Sequence, residues 1–219
     1  MLTYDVDPSC QVPGAKLIEI YDRYFSDKID GTYVEVGAFD GVTHGHTSPL
    51  AQLGWRGLCI EAHPEFAERC RKNHAGRDVT VEVCAIGATE GEATLYVAHH
   101  EGGAVSSTQW TNATRIYGLD KSRAIQTPMH RLDGILEKHG IAPGFEVLTI
   151  DVEEAELEVL AGFSVNKWLP RVVFIETHEK DPDGIRNWKA APIGKFFGEA
   201  GYEKLYADHI NTIFARSGQ

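Results

Sequence analysis

The sequence has few basic residues, few cysteines and no long apolar run, and each shortage excludes a class of protein. Lysine and arginine total 21 against 32 acidic residues, which gives a formal net charge of −11. A nucleic-acid-binding protein usually shows a basic patch or stripe, and because none is visible we expect no nucleic-acid partner. No stretch approaches the ~20 apolar residues of a membrane span, so we expect no membrane association. Small neutral or cationic ligands suit such a chain better than phosphates do.

The four cysteines do not form a disulfide framework or a C-x-x-C motif. Cys59 and Cys84 lie in apolar, strand-like runs and are expected to be buried thiols. This usage is typical of a reducing compartment. The residues near the amino terminus include acids instead of the basic start of a secretory signal peptide. We therefore expect a cytoplasmic protein, and a homo-oligomer is left open.

Strand-like and helix-like apolar periods alternate along the 219 residues, a length that suits one domain. The predicted strands are Thr32–Val36, Gly57–Glu61, Val79–Ala85, Phe145–Ile150, Arg171–Glu176, Tyr202–Tyr206 and Thr212–Ala215, with Gly91–Val97 as an added strand or hairpin arm. The predicted helices are Leu17–Phe25, Ser48–Leu53, Pro64–Lys72, Arg131–Lys138, Glu154–Leu160 and Ile193–Ala200. This alternation indicates an α/β fold with a mostly parallel sheet, and the last two strands predict an antiparallel edge.

Two segments lie outside this alternation. Residues 1–30 contain a single predicted helix and are expected to cover one side of the domain. Residues 98–126 contain glycines, serines and histidines without a clear period. A long irregular stretch in a compact domain is often a lid or a binding loop, so we expect this segment to cover a pocket.

The clearest chemical signal is the turn after the first strand. Glu35, Gly37 and Gly41 form the pattern E-x-G-x-x-x-G, with Ala38, Phe39 and Asp40 between the glycines. A strand that enters such a turn brings bare backbone to the carboxyl end of the sheet, where nucleotide-like ligands bind in open α/β folds. The third close-set glycine of the dinucleotide fingerprint G-x-G-x-x-G is absent, which argues against an NAD(P)-dependent oxidoreductase.

The next two strand ends also carry residues that suit a nucleoside. Glu61 ends the second strand, twenty residues after Gly41. One carboxylate at that position accepts hydrogen bonds from two ribose hydroxyls, although a solvated acid at a strand end is the alternative. Cys84 and Ala85 end the third strand and are small enough to flank a flat ring, but buried strands have the same composition.

The fourth and fifth strands end in a group of polar residues. Asp151 ends an apolar strand, and Glu176 and His178 are two residues apart, so they point the same way in a continuing strand. Together these three residues predict a general base or a site for a divalent metal such as Mg²⁺. A histidine that is hydrogen-bonded at the strand end is the alternative. Glu154 and Glu156 are also explained by the preference for acids in the first turn of a helix.

In this order, the motifs resemble the FkbM-type family of S-adenosylmethionine (SAM)-dependent methyltransferases. The matching blocks are Val34–Gly41, Gly54–Glu61, Ala85–Gly91, Leu132–Asp133, Ile150–Glu156 and Phe174–His178. The resemblance implies one Rossmann-like class I methyltransferase domain with a mostly parallel seven-stranded sheet and an antiparallel edge strand. Glu154 stands where the family usually has glycine, and Arg131 stands where it usually has threonine.

The resemblance also assigns roles to the candidate residues. Those expected to bind SAM are Glu35, Gly37, Ala38, Phe39, Asp40 and Gly41 around its methionine end, Glu61 and Ala62 at the ribose, and Cys84 and Ala85 near adenine. Asp151 is expected to face the reaction centre. The strand-end residues themselves add Glu176 and His178 as further candidate catalytic residues or metal ligands. The family suggests O-methylation of a small-molecule acceptor such as a sugar or polyketide. The irregular composition of residues 98–126 separately predicts that this segment covers the acceptor. A SAM-binding module without catalysis is the alternative.

Overall fold

Two β-sheets organise the chain, and the larger sheet positions the candidate site. A computed structural model describes residues 2–26, 28–98, 106–109, 119–181, 183–184 and 187–218. The strands are Thr32–Val36 (β1), Arg56–Ile60 (β2), Val79–Glu82 (β3), Ala85–Ile86 (β4), Gly91–Ala98 (β5), Ser106–Ser107 (β6), Leu119–His130 (β7), Val147–Ile150 (β8), Val172–Glu176 (β9), Tyr202–Ala207 (β10) and Asn211–Arg216 (β11). The order across the larger sheet is β10-β11-β9-β8-β1-β2-β3.

The larger sheet confirms the predicted fold class. Its strands β3, β2, β1, β8 and β9 run parallel to one another, whereas β11 is antiparallel to both β9 and the edge strand β10. Strands that are covered on both faces read as continuous apolar runs, and every residue of β9 is buried. This order places the end of β1 between the ends of β2 and β8.

Helices cover both faces of this sheet. They are Gly14–Phe25 (α1), Ser48–Gln52 (α2), Pro64–Asn73 (α3), Leu132–Lys138 (α4), Glu156–Ala161 (α5), Val165–Trp168 (α6) and Ala190–Glu199 (α7), with a 3₁₀ turn at Asn187–Lys189. One apolar cluster packs α1, α2 and α3 against the sheet, and a second packs α4 to α7 against the opposite face. Within the described residues, no helix is both long enough and apolar enough to cross a membrane.

The second sheet, in the order β4-β7-β5-β6, was not predicted. The single strand expected at Val79–Ala85 is divided into β3 and β4, which belong to different sheets. The arm expected at Gly91–Val97 is β5, which pairs antiparallel with β7. Residues 119–126 of the expected irregular segment lie in β7, while residues 99–105 and 110–118 lie outside the described residues.

Two helices near the site begin at residues other than those predicted. α1 begins at Gly14 and buries Leu17 and Tyr21 against the sheet. α5 begins at Glu156, two residues later than predicted, because Glu153 and Glu154 have positive φ angles of 54° and 78°. Left-handed backbone does not continue into a right-handed helix, so these residues form a turn after β8.

Candidate active site

The carboxyl ends of β1, β2 and β8 line a cavity of about 270 Å³. Nine of the residues predicted from the sequence line it: Glu35, Gly37, Ala38, Phe39, Glu61, Ala62, Cys84, Ala85 and Asp151. The candidate cofactor residues and one candidate catalytic residue are therefore brought together at one edge of the sheet. Asp40, Gly41, Glu176 and His178 lie outside the cavity lining.

The turn after β1 depends on glycine at its first position. Gly37 has a φ of 84°, and a Cβ atom there would lie 1.7 Å from the carbonyl oxygen of Asp151. No other residue fits without moving β1 away from β8. Asp40 stabilises the same turn by accepting hydrogen bonds from the backbone N–H groups of Val42 and Thr43 at 3.0 and 2.7 Å.

Gly41 serves packing and does not line the cavity. Its φ is 77°, and a Cβ atom there would lie within 2.7 Å of His74 and Cys70 on the α3 side. His74 follows the last residue of α3, and its Nε2 donates to the carbonyl oxygen of Gly41 at 2.9 Å. The second glycine of the motif thus allows the turn to pack closely against α3.

Glu61 is buried with its carboxylate fixed by backbone donors. Its Oε2 accepts from the N–H of Phe39 at 2.8 Å, and its Oε1 accepts from the N–H of His63 at 2.7 Å. Burial raises the pKa of Glu61 to about 7, and the hydrogen bonds from these amides oppose the rise. Each carboxylate oxygen keeps a lone pair for a ligand, since two oxygens offer about four acceptor positions.

Glu35 lies deeper, on the side of the sheet that faces α1. Its Oε2 accepts from Thr47 Oγ1 at 2.7 Å. Burial raises the pKa of Glu35 to about 8, with further increases from the negative charges of Asp151 and Asp40. A buried carboxylate with a raised pKa favours a positively charged ligand nearby.

Asp151 directly follows β8 and is partly buried in the cavity wall. Its N–H continues the sheet ladder by donating to the carbonyl oxygen of Val36 at 2.9 Å. Burial and the charge of Glu176 raise the pKa of Asp151 to about 7, while Lys189, His178 and a hydrogen bond from Gln11 oppose the rise. A carboxylate with a pKa near neutrality is suited to general base catalysis.

Glu176 and His178 form a buried ion pair behind Asp151. His178 Nε2 lies 2.6 Å from Glu176 Oε1, and its Nδ1 lies 2.8 Å from the carbonyl oxygen of His209. Burial would raise the pKa of Glu176, but Lys189 and His178 hold it far below its usual value. Because both partners of His178 accept hydrogen bonds, both of its ring nitrogens carry protons. In this arrangement the ring has no lone pair with which to act as a base.

The expected divalent metal at Asp151, Glu176 and His178 is not supported. The Lys189 ammonium lies in this cluster, with Nζ 2.6 Å from Glu156 Oε2, 2.7 Å from Glu176 Oε2 and 3.5 Å from Glu154 Oε1. A lysine side chain thus supplies the positive charge that the acids require. The donor set does not fit a metal ion, because the ammonium and the protonated His178 would repel it.

The residues of the cavity lining that sequence reasoning missed include Gln11, His46 and Thr149. Gln11 precedes α1 and accepts a hydrogen bond from Asn211 Nδ2 at 3.1 Å. Thr149 had a detectable signal, since it is a polar residue in the apolar strand β8, two positions before Asp151. Gln11 and His46 had none, because each reaches the site only through tertiary packing.

Comparisons with known proteins show the family and the fold of the chain. A family model of the FkbM methyltransferase domain matches residues 35–204. A precorrin-6y C5,15-methyltransferase from Geobacter metallireducens is similar in structure, with a TM-score of 0.52 and 12% identity over 98% of this chain and 94% of that chain. A ribosomal protein L11 methylase from Lactobacillus delbrueckii subsp. bulgaricus gives a TM-score of 0.47 and 12% identity over 93% and 79% of the two chains. At 12% identity the likeness to the Geobacter protein shows the fold alone. No curated protein matches the chain.

Proposed function

The chain belongs to the FkbM methyltransferase domain family, which is a family of SAM-dependent methyltransferases, and we propose that it methylates a hydroxyl group of a small molecule. The observation that carries this proposal is the position of Asp151, which shares one cavity with the Gly37 turn and Glu61. A cofactor site and a candidate base are then close enough to act on the same acceptor.

The residues of the cavity fit the parts of SAM. Glu61 offers acceptor positions for the two ribose hydroxyls, and Cys84 and Ala85 offer a small apolar wall for the adenine ring. The carboxylates of Glu35 and Asp151 suit a ligand that carries positive charge. SAM, when bound, supplies an electrophilic methyl group on a sulfonium ion.

Asp151 would remove the proton of the acceptor hydroxyl. An alcohol is a weak nucleophile, and a base with a pKa near 7 is matched to this task at neutral pH. The Asp151 carboxylate would take the hydroxyl proton, and the methyl group that SAM would supply would go to the acceptor oxygen and leave the demethylated cofactor. The cavity walls hold the acceptor in line, which lowers the barrier by reducing the entropy lost at the transition state.

Calorimetric titration with SAM tests the cofactor site. Glu61→Ala removes a charged acceptor of hydrogen bonds, which typically costs about 1.5–3 kcal/mol, or roughly tenfold or more in affinity. Gly37→Val is expected to abolish binding because its side chain would meet the backbone of Asp151. Glu65→Ala is the control, since Glu65 is exposed on the neighbouring helix α3.

Two results would contradict this assignment. If Glu61→Ala and Gly37→Val remain folded and bind SAM like the wild-type protein, the cofactor site is elsewhere. If the wild-type protein binds SAM but forms no S-adenosylhomocysteine (SAH) with any hydroxyl compound, it is a binding module without catalysis. Asp151→Asn tests whether Asp151 is the general base, because this variant should still bind SAM while its turnover falls by about 10²–10⁴-fold.

A further inference from the structure

The floor of the cavity holds polar groups that have no hydrogen-bond partner. His46 and Thr149 both line the cavity and are 1% and 3% exposed. Neither ring nitrogen of His46, nor Thr149 Oγ1, finds a partner in the part of the chain that the structure describes. Buried polar groups without partners are rare in native proteins because each costs free energy. These atoms therefore point to a ligand that provides their partners.

The His46 ring is held in a fixed position. Its face stacks on Phe174, with 5.1 Å between ring centroids and 18° between planes. The hydroxyl of Tyr21 donates to the carbonyl oxygen of His46 at 2.6 Å. Burial lowers the pKa of His46 to about 4, so the ring is neutral at pH 7. A neutral imidazole offers one N–H donor and one acceptor lone pair.

The sheet register places these groups next to Asp151. Thr149 on β8 is paired with Phe174 on β9, so their side chains lie on the same face, about 4.8 Å apart. His46 stacks on Phe174 and lines the same cavity as Thr149. Asp151 lies two residues beyond Thr149 and points to the same side. His46 and Thr149 therefore share one cavity with the candidate base Asp151.

The charge of the cavity restricts what this surface can bind. The lining includes the carboxylates of Glu35, Glu61, Asp151 and Glu153, and no lysine or arginine is among its described residues. The described lining therefore offers no basic side chain to pair with a phosphate or carboxylate of the methyl acceptor. A hydroxyl group fits best, because it both donates to and accepts from a neutral imidazole and a threonine hydroxyl.

We propose that His46 and Thr149 bind a second hydroxyl of the methyl acceptor, adjacent to the hydroxyl whose proton is taken by Asp151. The acceptor is then an uncharged 1,2-diol, and His46 and Thr149 determine specificity for it. This inference rests on the proposed function, since it assumes that SAM occupies the Glu61 side of the same cavity.

Binding to the SAH-loaded protein tests the inference with matched probes. Catechol and trans-1,2-cyclohexanediol carry the adjacent hydroxyls, phenol and cyclohexanol lack the second one, and salicylate replaces it with a carboxylate. Calorimetry should show that each diol binds about tenfold more tightly than its monohydroxyl partner, as expected for one or two added hydrogen bonds. Salicylate should bind most weakly of the aromatic set. Equal binding of diols and single alcohols, or no binding of either diol, would overturn the proposal.

Two substitutions assign the preference to the proposed residues. His46→Phe keeps a ring that can stack on Phe174, and Thr149→Val keeps the side-chain shape. Each variant should lose the diol preference, keep the wild-type affinity for SAH, and melt at a higher temperature without ligand, because an unpartnered polar group is replaced by an apolar one. If both variants melt at a lower temperature and keep the preference, the two residues are structural. If SAH affinity falls with the diol preference, the subsite belongs to the cofactor.

Thr177→Val provides the matched control. Thr177 is equally buried, but its hydroxyl is paired with the hydroxyl of Thr212 at 2.6 Å. Its loss should lower the melting temperature and leave the diol preference unchanged. If the protein binds SAH through Glu61 but shows no diol preference, only this inference is wrong. If the protein binds neither SAM nor SAH, the proposed function itself is wrong.

Discussion

Glu154 occupies a backbone conformation that favours glycine, at the position where FkbM-type proteins usually have glycine. Its φ is 78° and its side chain is fully buried. Its Oε2 accepts from Trp188 Nε1 at 2.9 Å, and its Oε1 lies 3.5 Å from the ammonium of Lys189. Glu154 therefore adopts an unfavourable backbone conformation after β8 but makes two side-chain contacts that glycine could not make. The free-energy cost of the backbone conformation and the free energy gained from the contacts can be measured separately.

Glu154→Gly and Glu154→Ala should differ in stability although both remove the same contacts. Alanine keeps the cost of the left-handed conformation, whereas glycine adopts it freely. We expect the glycine variant to be more stable than the alanine variant by about 1 kcal/mol in urea unfolding. Equal stability of the two variants would show that the turn relaxes and that its backbone carries no such cost.

At the scale of elements, Lys189 joins the 3₁₀ turn Asn187–Lys189 to α5 through Glu156 and to β9 through Glu176. All three side chains are buried. Because burial of an unpaired charge is expensive, Lys189→Met should destabilise the protein by about 3–5 kcal/mol. Thermal and urea unfolding measure the loss.

A second variant shows whether the charge causes the loss. Lys189→Met combined with Glu156→Gln removes the carboxylate that loses its ammonium partner, while Glu176 keeps its ion pair with His178, so part of the lost stability should return. An exposed lysine provides the control, since Lys195→Met on α7 should change stability by less than about 1 kcal/mol. If Lys189→Met is as stable as the wild type, the ion pairs do not join these elements.

The elements also show which features could be predicted from the sequence. The turn after β1, Glu61 and Asp151 were predictable because each ends an apolar strand, and parallel strands place their carboxyl ends at one edge. The division between β3 and β4 was not, because the pairing of Ala85 with Met129 in the second sheet joins residues far apart in the chain. The later start of α5 was missed because a positive φ at Glu153 and Glu154 has no signal in residue type.

The least predictable residues of the site are those that contact the candidate residues from distant segments of the chain. The sequence predicted the metal from three residues at two strand ends, but Lys189 reaches the same cluster from a separate turn. Gln11 likewise comes from the segment before α1, and its contact with Asn211 spans 200 positions. Contacts of this range depend on how whole elements pack, and no local pattern of residue types reports them.

For the whole molecule, the formal net charge is −11, and the described lining of the cavity contains carboxylates but no lysine or arginine. Burial raises the pKa of Glu35 to about 8 and that of Asp151 to about 7. Folding thus favours the protonated form of both groups. Their contribution to stability is fully present below the unfolded pKa values and is lost as pH rises through about 7 to 8.

The SAM affinity should change in the opposite direction to this stability. As pH rises from about 6 to about 9, both groups lose their protons, and each added negative charge attracts the positive sulfonium of SAM. SAH has the same amino and carboxylate groups but lacks the sulfonium charge. The ratio of SAM to SAH affinity, measured by calorimetry across this range, should therefore rise with pH, while the melting temperature of the ligand-free protein falls.

Glu35→Gln and Asp151→Asn test whether these two carboxylates cause the change. Each amide keeps the shape of the side chain but cannot ionise, so each variant should flatten the rise in the SAM to SAH ratio, and the double variant should remove it. Glu199→Gln, at an exposed position on α7, removes the same formal charge far from the cavity and should leave the rise intact. A ratio that stays constant with pH in the wild type would mean that neither carboxylate senses the methyl-bearing sulfur, and Asp151 could not then be the base of the reaction.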